Sequence, residues 1–321
     1  MAVVVAGPVV PGAQSALEAA PLGLPAPPIP PDSPQTPEGI ALGEKLFNDK
    51  RFSTTGEVSC ATCHDAAKAF TDSPLQVSEG INKLTGTRNA PTVVNSAYFT
   101  TMFWDGRSPS LEDQAQHPFV NPVEMGLKDH EPILKIVRSD PDYVKAFKQV
   151  FDKSGDAVTM DEVTKAIASF ERTVTSGDSP FDRHWFGGEE NALTPAQKRG
   201  FSLFVNEARC VSCHVIEQTT ALFTDNRFHN VGVGINTIQN DVPDLARGFI
   251  KARATASEVD VKVLSDKRTS ELGRLVVTKG FDDIGSFKTP TLRNVAVTAP
   301  YMHDGSLKTL RDVMVHYNNG G

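Results

Sequence analysis

Apolar residues near the C-terminal end of the chain recur at helical spacing. Leu310, Val313, Met314 and Tyr317 follow the i, i+3, i+4, i+7 pattern and would share one face of a helix. Capping signals predict further helices from Thr36-Pro37 to about Asn48, from Thr159-x-x-Glu162 to about Thr173, and after Thr194-Pro195-x-Gln197. Strand-like stretches are short, as at Leu275–Thr278, and no apolar run approaches the length of a membrane span. The pattern therefore predicts a mainly α-helical fold with few short strands.

All four cysteines lie in two copies of Cys-x-x-Cys-His, Cys60–His64 and Cys210–His214. This pentapeptide is the c-type haem attachment signal, in which two thiols bind the haem covalently and the adjacent histidine faces the iron. A zinc site usually needs two cysteine pairs close together, whereas these pairs lie 150 residues apart. A thioredoxin-like motif would follow a strand in a βαβ pattern, and a simple disulfide would leave both histidines unexplained. Two covalent haem c groups, Cys60 and Cys63 with His64, and Cys210 and Cys213 with His214, are predicted.

The two halves resemble one another beyond these motifs. Pro91-Thr92-Val93-Val94-Asn95 matches Pro290-Thr291-Leu292-Arg293-Asn294 at an offset of 199, and Asp105-Gly106 matches Asp304-Gly305 at the same offset. Leu111 and Leu310 correspond as well, each at the start of a predicted helix. The second half must carry an insertion around 215–285. We predict a duplicated cytochrome c-like domain, with residues 36–185 and 186–321 each holding one haem.

The net charge and the N-terminal composition indicate where the protein is located and which partners it could bind. A net charge of −7 argues against sequence-independent binding to nucleic acid and suits a basic electron-donor protein. Residues 1–35 contain no Lys or Arg, and Met1–Ala16 looks like the apolar part of a secretory signal without its basic start. A tag remnant or a flexible tail is the alternative. Residues 21–37 hold eight prolines and should form an extended linker. Because covalent haem c is assembled outside the bacterial cytoplasm, a periplasmic protein is expected.

The repeat also bears on the second axial ligand of each iron. Tyr317 would face the second haem and could ligate its iron, although an ordinary half-buried tyrosine is the simpler interpretation. The equivalent position in the first half is Pro118, which cannot ligate iron, and residues 75–87 contain no His or Met. The first iron is therefore expected to be open to peroxide, with His117 and His130 as fallback ligands.

Three polar or aromatic residues are candidates for chemistry near that open iron. Glu124 could move a proton during cleavage of peroxide if an apolar pocket raises its pKa, although a solvated turn residue is the plainer alternative. Gln114, ten residues earlier, could orient peroxide or water. Trp104, one of two tryptophans, could be a packing residue or a redox-active bridge between the haems.

Further motifs complete a recognisable set. They are Leu46-Phe47, Ala69-Phe70-Thr71-Asp72, Arg88-Asn89-Ala90-Pro91-Thr92, Phe103-Trp104-Asp105-Gly106-Arg107, Asn121-Pro122-Val123-Glu124-Met125, Pro290-Thr291-Leu292-Arg293-Asn294 and Pro300-Tyr301-Met302-His303-Asp304-Gly305. With these motifs the chain, from about Gly39 onward, resembles the bacterial dihaem cytochrome c peroxidase / MauG superfamily. The resemblance implies that His64 and His214 ligate the peroxidatic and electron-transfer haems. It also implies distal catalytic roles for Glu124 and Gln114 and a position between the haems for Trp104.

The resemblance further implies a calcium ion between the haems, held by Asn89 and by the main-chain carbonyls of Thr298 and Pro300; oxygen ligands suit Ca²⁺. Typical cytochrome c peroxidases carry a loop histidine that this chain lacks, and a methionine where it has Tyr317. MauG has the tyrosine and lacks the histidine, so the ligand set resembles that of MauG. MauG's tryptophan two residues before the second haem motif is replaced here by Ala208.

These features predict a periplasmic dihaem peroxidase that reduces hydrogen peroxide at the N-terminal haem. A small cytochrome c or cupredoxin would supply electrons through the C-terminal haem, and the diferric protein should react without prior reduction. One alternative is MauG-like oxidation of a partner protein. Another is a non-catalytic electron-transfer cytochrome, which fits an open iron poorly. A homodimer is left open. The family usually continues beyond Tyr317, whereas this sequence ends at Gly321, which suggests truncation.

Overall fold

The computed structural model describes residues 20–33 and 35–321, so the signal-like stretch Met1–Ala16 lies outside the described residues. Within that part, α-helices are joined by loops and single 3₁₀ turns. The helices are α1 Pro37–Asn48, α2 Cys60–Cys63, α3 Leu111–Val120, α4 Glu131–Ser139, α5 Pro141–Phe151, α6 Met160–Glu171, α7 Pro180–Trp185, α8 Pro195–Val205, α9 Val242–Ala252, α10 Ala256–Ser265, α11 Lys267–Ser270, α12 Leu275–Thr278 and α13 Leu310–Asn318. Two short strands, β1 Phe228–His229 and β2 Phe287–Lys288, pair antiparallel. None of the helices in the described ranges is long and apolar enough to cross a membrane.

The capping signals begin helices where the sequence predicts them. Thr36 caps α1 by accepting a hydrogen bond from the main-chain N–H of Gly39 at 3.1 Å. Capping boxes at Thr159 and Thr194 begin α6 and α8. These signals are reliable because the capping residue and its hydrogen-bond partner lie within one turn. The hydrogen bond therefore forms without contacts to distant parts of the chain.

The strand-like interpretation of Leu275–Thr278 is wrong, because this segment is α12. Its main-chain hydrogen bonds are local: the N–H of Thr278 donates to Arg274 and that of Lys279 donates to Leu275. Leu275 and Val276 are buried in a cluster with apolar residues of α9 and α10. A short apolar run is compatible with either a strand or a helix, and packing decides here.

The first half is organised around the crossing of α1 and α6. Gly43 permits the close approach, since a Cβ atom there would lie 1.9 Å from the main-chain oxygen of Ala166. Phe47 on α1 packs against Phe170 on α6, with ring centroids 5.2 Å apart. Helix α3 packs on the other side of α6 and carries Leu111, Ala115 and Phe119 on its buried face.

The segment predicted as an insertion in the second half forms α9 to α12, with its own apolar cluster. This segment also contacts the first half. The hydroxyl of Thr87 donates to the main-chain oxygen of Val263 at 2.6 Å, and the guanidinium of Arg88 donates to the main-chain oxygen of Ser270 at 2.8 Å. The insertion therefore joins the two halves.

The residues matched at an offset of 199 adopt matching local structures. Asn95 (φ 64°) and Asn294 (φ 57°) are both left-handed, and each precedes a single 3₁₀ turn. Helices α3 and α13 begin at Leu111 and Leu310, as predicted. Isolated antiparallel bridges also recur at this offset, between Met102 and Ser108 and between Tyr301 and Leu307.

The proline-rich segment has turns at 22–23 and 31–32 in its described residues, no helix or strand before α1, and packs against the folded chain. Leu24 is buried, and the main-chain oxygen of Gly23 accepts hydrogen bonds at 2.9 Å from Ala221 and from the guanidinium of Arg293. The hydroxyl of Ser33 accepts one from Arg172 at 3.0 Å. The segment therefore contacts both halves of the chain.

Candidate active site

The first haem motif forms the short helix α2, capped by Ser59. Nδ1 of His64 lies 3.2 Å from the main-chain oxygen of Phe70, which fixes the ring and leaves Nε2 for a metal. Burial lowers the pKa of His64, so the imidazole is neutral, as an iron ligand must be. These residues fit a covalently attached haem.

The second motif repeats this arrangement. Nδ1 of His214 lies 2.8 Å from the main-chain oxygen of Phe223, and burial again lowers the pKa of the histidine. The neighbouring helices α8 and α13 bury none of their residues, and Leu203 and Val315 are about half exposed, at 53% and 50%. Uncovered apolar side chains beside the motif are the kind of surface that an apolar group such as a porphyrin would cover.

Tyr317 lies in the last turn of α13, close to the second motif. The side chain is 45% exposed, and its partial burial raises the pKa of the phenol, as do the nearby thiols of Cys213 and Cys210. The preceding residue, His316, is held away by a contact of 2.8 Å between Nε2 and the main-chain oxygen of Val231. Tyr317 thus lies near the second haem motif.

Glu124 lies in a tight turn that follows α3. The main-chain oxygen of Asn121 accepts hydrogen bonds from the N–H groups of both Glu124 (3.1 Å) and Gly126 (2.9 Å). The N–H of Ile81 donates to the main-chain oxygen of Glu124 at 2.8 Å. Only glycine fits at position 80, because a Cβ atom there would lie 2.1 Å from the main-chain oxygen of Val123. The turn is therefore fixed from two sides.

The electrostatic environment of Glu124 suits proton transfer near neutral pH. Burial raises its pKa to about 7; the negative charge of Asp260 contributes, and Arg107 opposes the rise. Glu124 lies close to the first haem motif, since its charge and burial together raise the pKa of the Cys63 thiol to about 12. The environment accounts for a raised pKa of the partly buried Glu124, and its catalytic role stays a prediction.

The other distal candidates lie on or near α3. Gln114 is partly buried in the second turn of this helix. The two fallback histidines contact protein groups: Nε2 of His117 lies 3.3 Å from a carboxylate oxygen of Asp113, and Nε2 of His130 lies 3.0 Å from the main-chain oxygen of Gln116. Pro118 occupies the α3 position that corresponds to Tyr317 in α13.

Trp104 and Asn89 contact one another. The indole N–H of Trp104 donates to the main-chain oxygen of Asn89 at 2.9 Å, and the main-chain N–H of Asn89 donates to the main-chain oxygen of His303 at 2.8 Å. Asn89 therefore lies beside the loop that holds Thr298 and Pro300. Among the described residues, no side chain or main-chain N–H donates a hydrogen bond to the carbonyl oxygens of these two residues. Such unengaged oxygens fit a calcium ion.

Sequence reasoning missed a buried ion-pair network beside these residues. Asp105 lies 2.8 Å from Arg88 and 3.0 Å from Arg107, and Arg107 in turn lies 2.9 Å from Asp260 of α10. Burial alone would raise the pKa of Asp105, but Arg107 and Arg88 lower it to about 2. The motif around Trp104 contained Asp105 and Arg107, whereas no signal in the sequence marked Asp260.

A second missed residue is Glu171, at the end of α6. It is buried, and one of its carboxylate oxygens has no hydrogen-bond partner among the described residues. Burial raises its pKa to about 8, Arg172 opposes the rise and Glu112 adds to it. Its charge also contributes to the raised pKa of the Cys60 thiol, which puts it near the first haem motif.

Comparison with known proteins agrees with this geometry. Residues 37–191 match the sequence pattern described as di-haem cytochrome c peroxidase. Methylamine utilization protein MauG of Methylorubrum extorquens is 37% identical over 295 residues, which cover 92% of this chain and 72% of that protein. The chain belongs to the di-haem cytochrome c peroxidase family. Membership of this family implies two haem groups.

Other members of the family are similarly related. Cytochrome c551 peroxidase of Nitrosomonas europaea is 37% identical over 290 residues, covering 89% of this chain and 75% of that protein. The crystal structure of a MauG-like protein associated with microbial copper homeostasis superposes with a TM-score of 0.73 at 34% identity. That match covers 94% of this chain and 82% of the other. The mainly helical fold predicted from the sequence is confirmed.

Proposed function

We propose that this protein reduces hydrogen peroxide to water at the site in its first half. The observation that carries the proposal is Glu124, a partly buried carboxyl with a pKa of about 7, fixed beside the haem motif Cys60–His64. An acid–base catalyst is most effective when its pKa lies near the working pH. Membership of a family whose members are named peroxidases supports the same activity.

The haem held by Cys60, Cys63 and His64 would supply the iron that takes up peroxide and stores its oxidising equivalents. The protein moves the proton. The Glu124 carboxylate accepts the proton of the inner peroxide oxygen and returns it to the outer oxygen, which leaves as water. Gln114 orients peroxide by hydrogen bonding from α3. Two electrons and two further protons complete the reduction of one peroxide to two waters.

The asymmetry between the halves supports separate roles for the two haems. Pro118 stands where the second half has Tyr317, so the first half offers no side chain to its iron at that position. In the second half, Tyr317 lies near the haem motif, and its phenol would supply a ligand to the iron of a haem held there by His214. An iron held by His64 would therefore keep a position for peroxide, and the diferric protein would react without prior reduction.

Electrons pass between the halves through Trp104 in this proposal. Its indole is anchored on Asn89 and its main-chain oxygen accepts a hydrogen bond from Lys288 of β2, so the residue bridges first-half and second-half segments. A calcium ion held by Asn89, Thr298 and Pro300 would fix the same junction. The donor is a small cytochrome c or cupredoxin.

We further propose that the fold arose by duplication, with cytochrome c-like domains at 36–185 and 186–321 and one haem c in each. The matching left-handed asparagines and loop bridges at an offset of 199 support this. Attachment of haem c outside the cytoplasm supports a periplasmic location.

One observation favours a second candidate function, oxidation of a partner protein. The loop from residue 75 to 87 has no histidine and Tyr317 lies at the second haem motif, which is the ligand set of MauG. Against it, Ala208 occupies the position of MauG's tryptophan.

Steady-state turnover with reduced cytochrome c and peroxide separates the two functions. Peroxide reduction predicts continuous oxidation of the cytochrome, with two molecules oxidised per peroxide, and a slower rate in Trp104→Phe. An enzyme that reacts with peroxide yet leaves cytochrome c and cupredoxin donors reduced would contradict the first function and favour the second.

A further inference from the structure

Helix α10 belongs to the insertion of the second half, yet one of its residues faces the distal site of the first half. Asp260 is only 3% exposed, and both of its carboxylate oxygens contact residues of the first half. One oxygen accepts a hydrogen bond from Nε of Arg107 at 2.9 Å, and the other accepts one from the side-chain amide of Asn121 at 3.0 Å. A buried carboxylate with two such bonds fixes both of its partners.

Asn121 is the residue on which the Glu124 turn depends. Its side-chain oxygen accepts a hydrogen bond from the N–H of Val123 at 3.1 Å, and its main-chain oxygen accepts from Glu124 and Gly126. The side-chain NH₂ group of Asn121 donates its hydrogen bond to Asp260. Asp260 therefore sets the rotation of the Asn121 side chain, and through it the path of the turn.

Arg107, the second partner of Asp260, also acts on Glu124, because its positive charge opposes the rise in the pKa of that carboxyl. Asp105 holds the same guanidinium from the other side at 3.0 Å. His117 faces the cluster from α3, with Nδ1 3.9 Å from Asp260. From α2, Cys60 and Cys63 lie close enough to Glu124 to feel its charge.

We propose that Asp260 is a positioning residue for peroxide cleavage, and that the inserted segment of the second half is thereby a working part of the first-half site. Asp260 touches neither peroxide nor haem in this account. It holds Asn121 and Arg107, which in turn fix the position and the charge environment of Glu124. This inference rests on the proposed function of Glu124.

The test uses the haem-loaded protein and three variants. Asp260→Asn removes the charge with little change of shape. Asn121→Ser keeps a hydroxyl that can accept from the N–H of Val123 but cannot reach Asp260, and it leaves all charges in place. Asp244→Asn is the matched control, because this carboxylate of the same insertion is 91% exposed and pairs only with Arg247.

The first readout does not depend on activity. Amide hydrogen exchange at residues 121–127 should be faster by about tenfold or more in Asp260→Asn and Asn121→Ser, because the turn loses its external anchor. It should be unchanged in Asp244→Asn. Native-like exchange in both of the first two variants would overturn the inference, even if the protein proved inert to peroxide.

The second readout is the pH dependence of the reaction with peroxide. Both site variants should react about tenfold or more slowly, as expected when a catalytic group is displaced. In Asp260→Asn the midpoint of the pH profile should also fall, by about one pH unit, because a negative charge near Glu124 is lost. Asn121→Ser should keep the wild-type midpoint. If the wild type reacts and Asp260→Asn shares its rate and midpoint, the inference fails while the proposed function stands.

Discussion

Replacing Glu124 with glutamine tests the role of its carboxyl most sharply. With a pKa of about 7, the carboxylate is about half formed at neutral pH. Because the ionised form must accept the first proton, the wild-type rate with peroxide should rise about tenfold per pH unit below pH 7 and level off above it. Glu124→Gln cannot accept that proton, so its rate should be lower by about 10²- to 10⁴-fold and independent of pH in this range.

The same substitution has a consequence for stability, which follows from linkage. Folding raises the pKa of Glu124 from an ordinary value of 4.5 to about 7, so the folded state binds more protons between these values. Stability is therefore highest below pH 4.5 as far as this group is concerned, and is lost as the pH rises through 7. The difference between the two pKa values corresponds to a change in the free energy of unfolding of about 3 kcal/mol at most. Glu124→Gln should remove this loss and unfold at higher temperature than the wild type at pH 8.

Stopped-flow absorbance in the Soret region and thermal unfolding, each measured from pH 5 to pH 8.5, check both consequences. Glu57→Gln is the matched control, since this exposed carboxylate lies three residues before the first haem motif. A Glu124→Gln protein that keeps the wild-type rate and the wild-type dependence on pH would refute the role of this residue in proton transfer.

Three further substitutions test other contacts. Tyr317→Phe should change the low-spin signal in ferric electron paramagnetic resonance (EPR) and leave the high-spin signal unaltered; a spectrum like that of the wild type would contradict ligation by the phenol. Asp105→Asn removes the buried charge that Arg88 and Arg107 share and should lower the free energy of unfolding by about 3–5 kcal/mol, measured by denaturant titration. Gly43→Ala forces α1 away from α6 and should cost about 1–3 kcal/mol in the same titration, whereas an unchanged midpoint would show that the crossing can relax.

Local signals explain what could be predicted from the sequence. The caps of α1, α6 and α8 involve residues within one turn, and each Cys-x-x-Cys-His motif carries its chemistry in five consecutive positions. Comparison of the two halves predicted more than these local signals, because it identified Pro118 and Tyr317 as equivalent positions without any knowledge of the fold. Both residues lie on the helices that this comparison predicts.

Long-range contacts explain what could not be predicted. Asp260 lies 136 residues after Glu124 in the chain, in an insertion without a counterpart in the first half, so neither spacing nor the repeat pointed to it. The raised pKa of Glu124 depends on burial and on this distant charge. The helix α12 was misassigned for a related reason, since its short run of apolar residues is helical because of the packing partners provided by α9 and α10.

The central claim is that one iron has an open coordination position while the other has two protein ligands. EPR of the diferric protein, before and after addition of hydrogen peroxide, tests it directly. We expect one high-spin and one low-spin haem, the latter without His/Met character, and rapid loss of the high-spin signal on mixing. Two low-spin haems that peroxide leaves unchanged would contradict it.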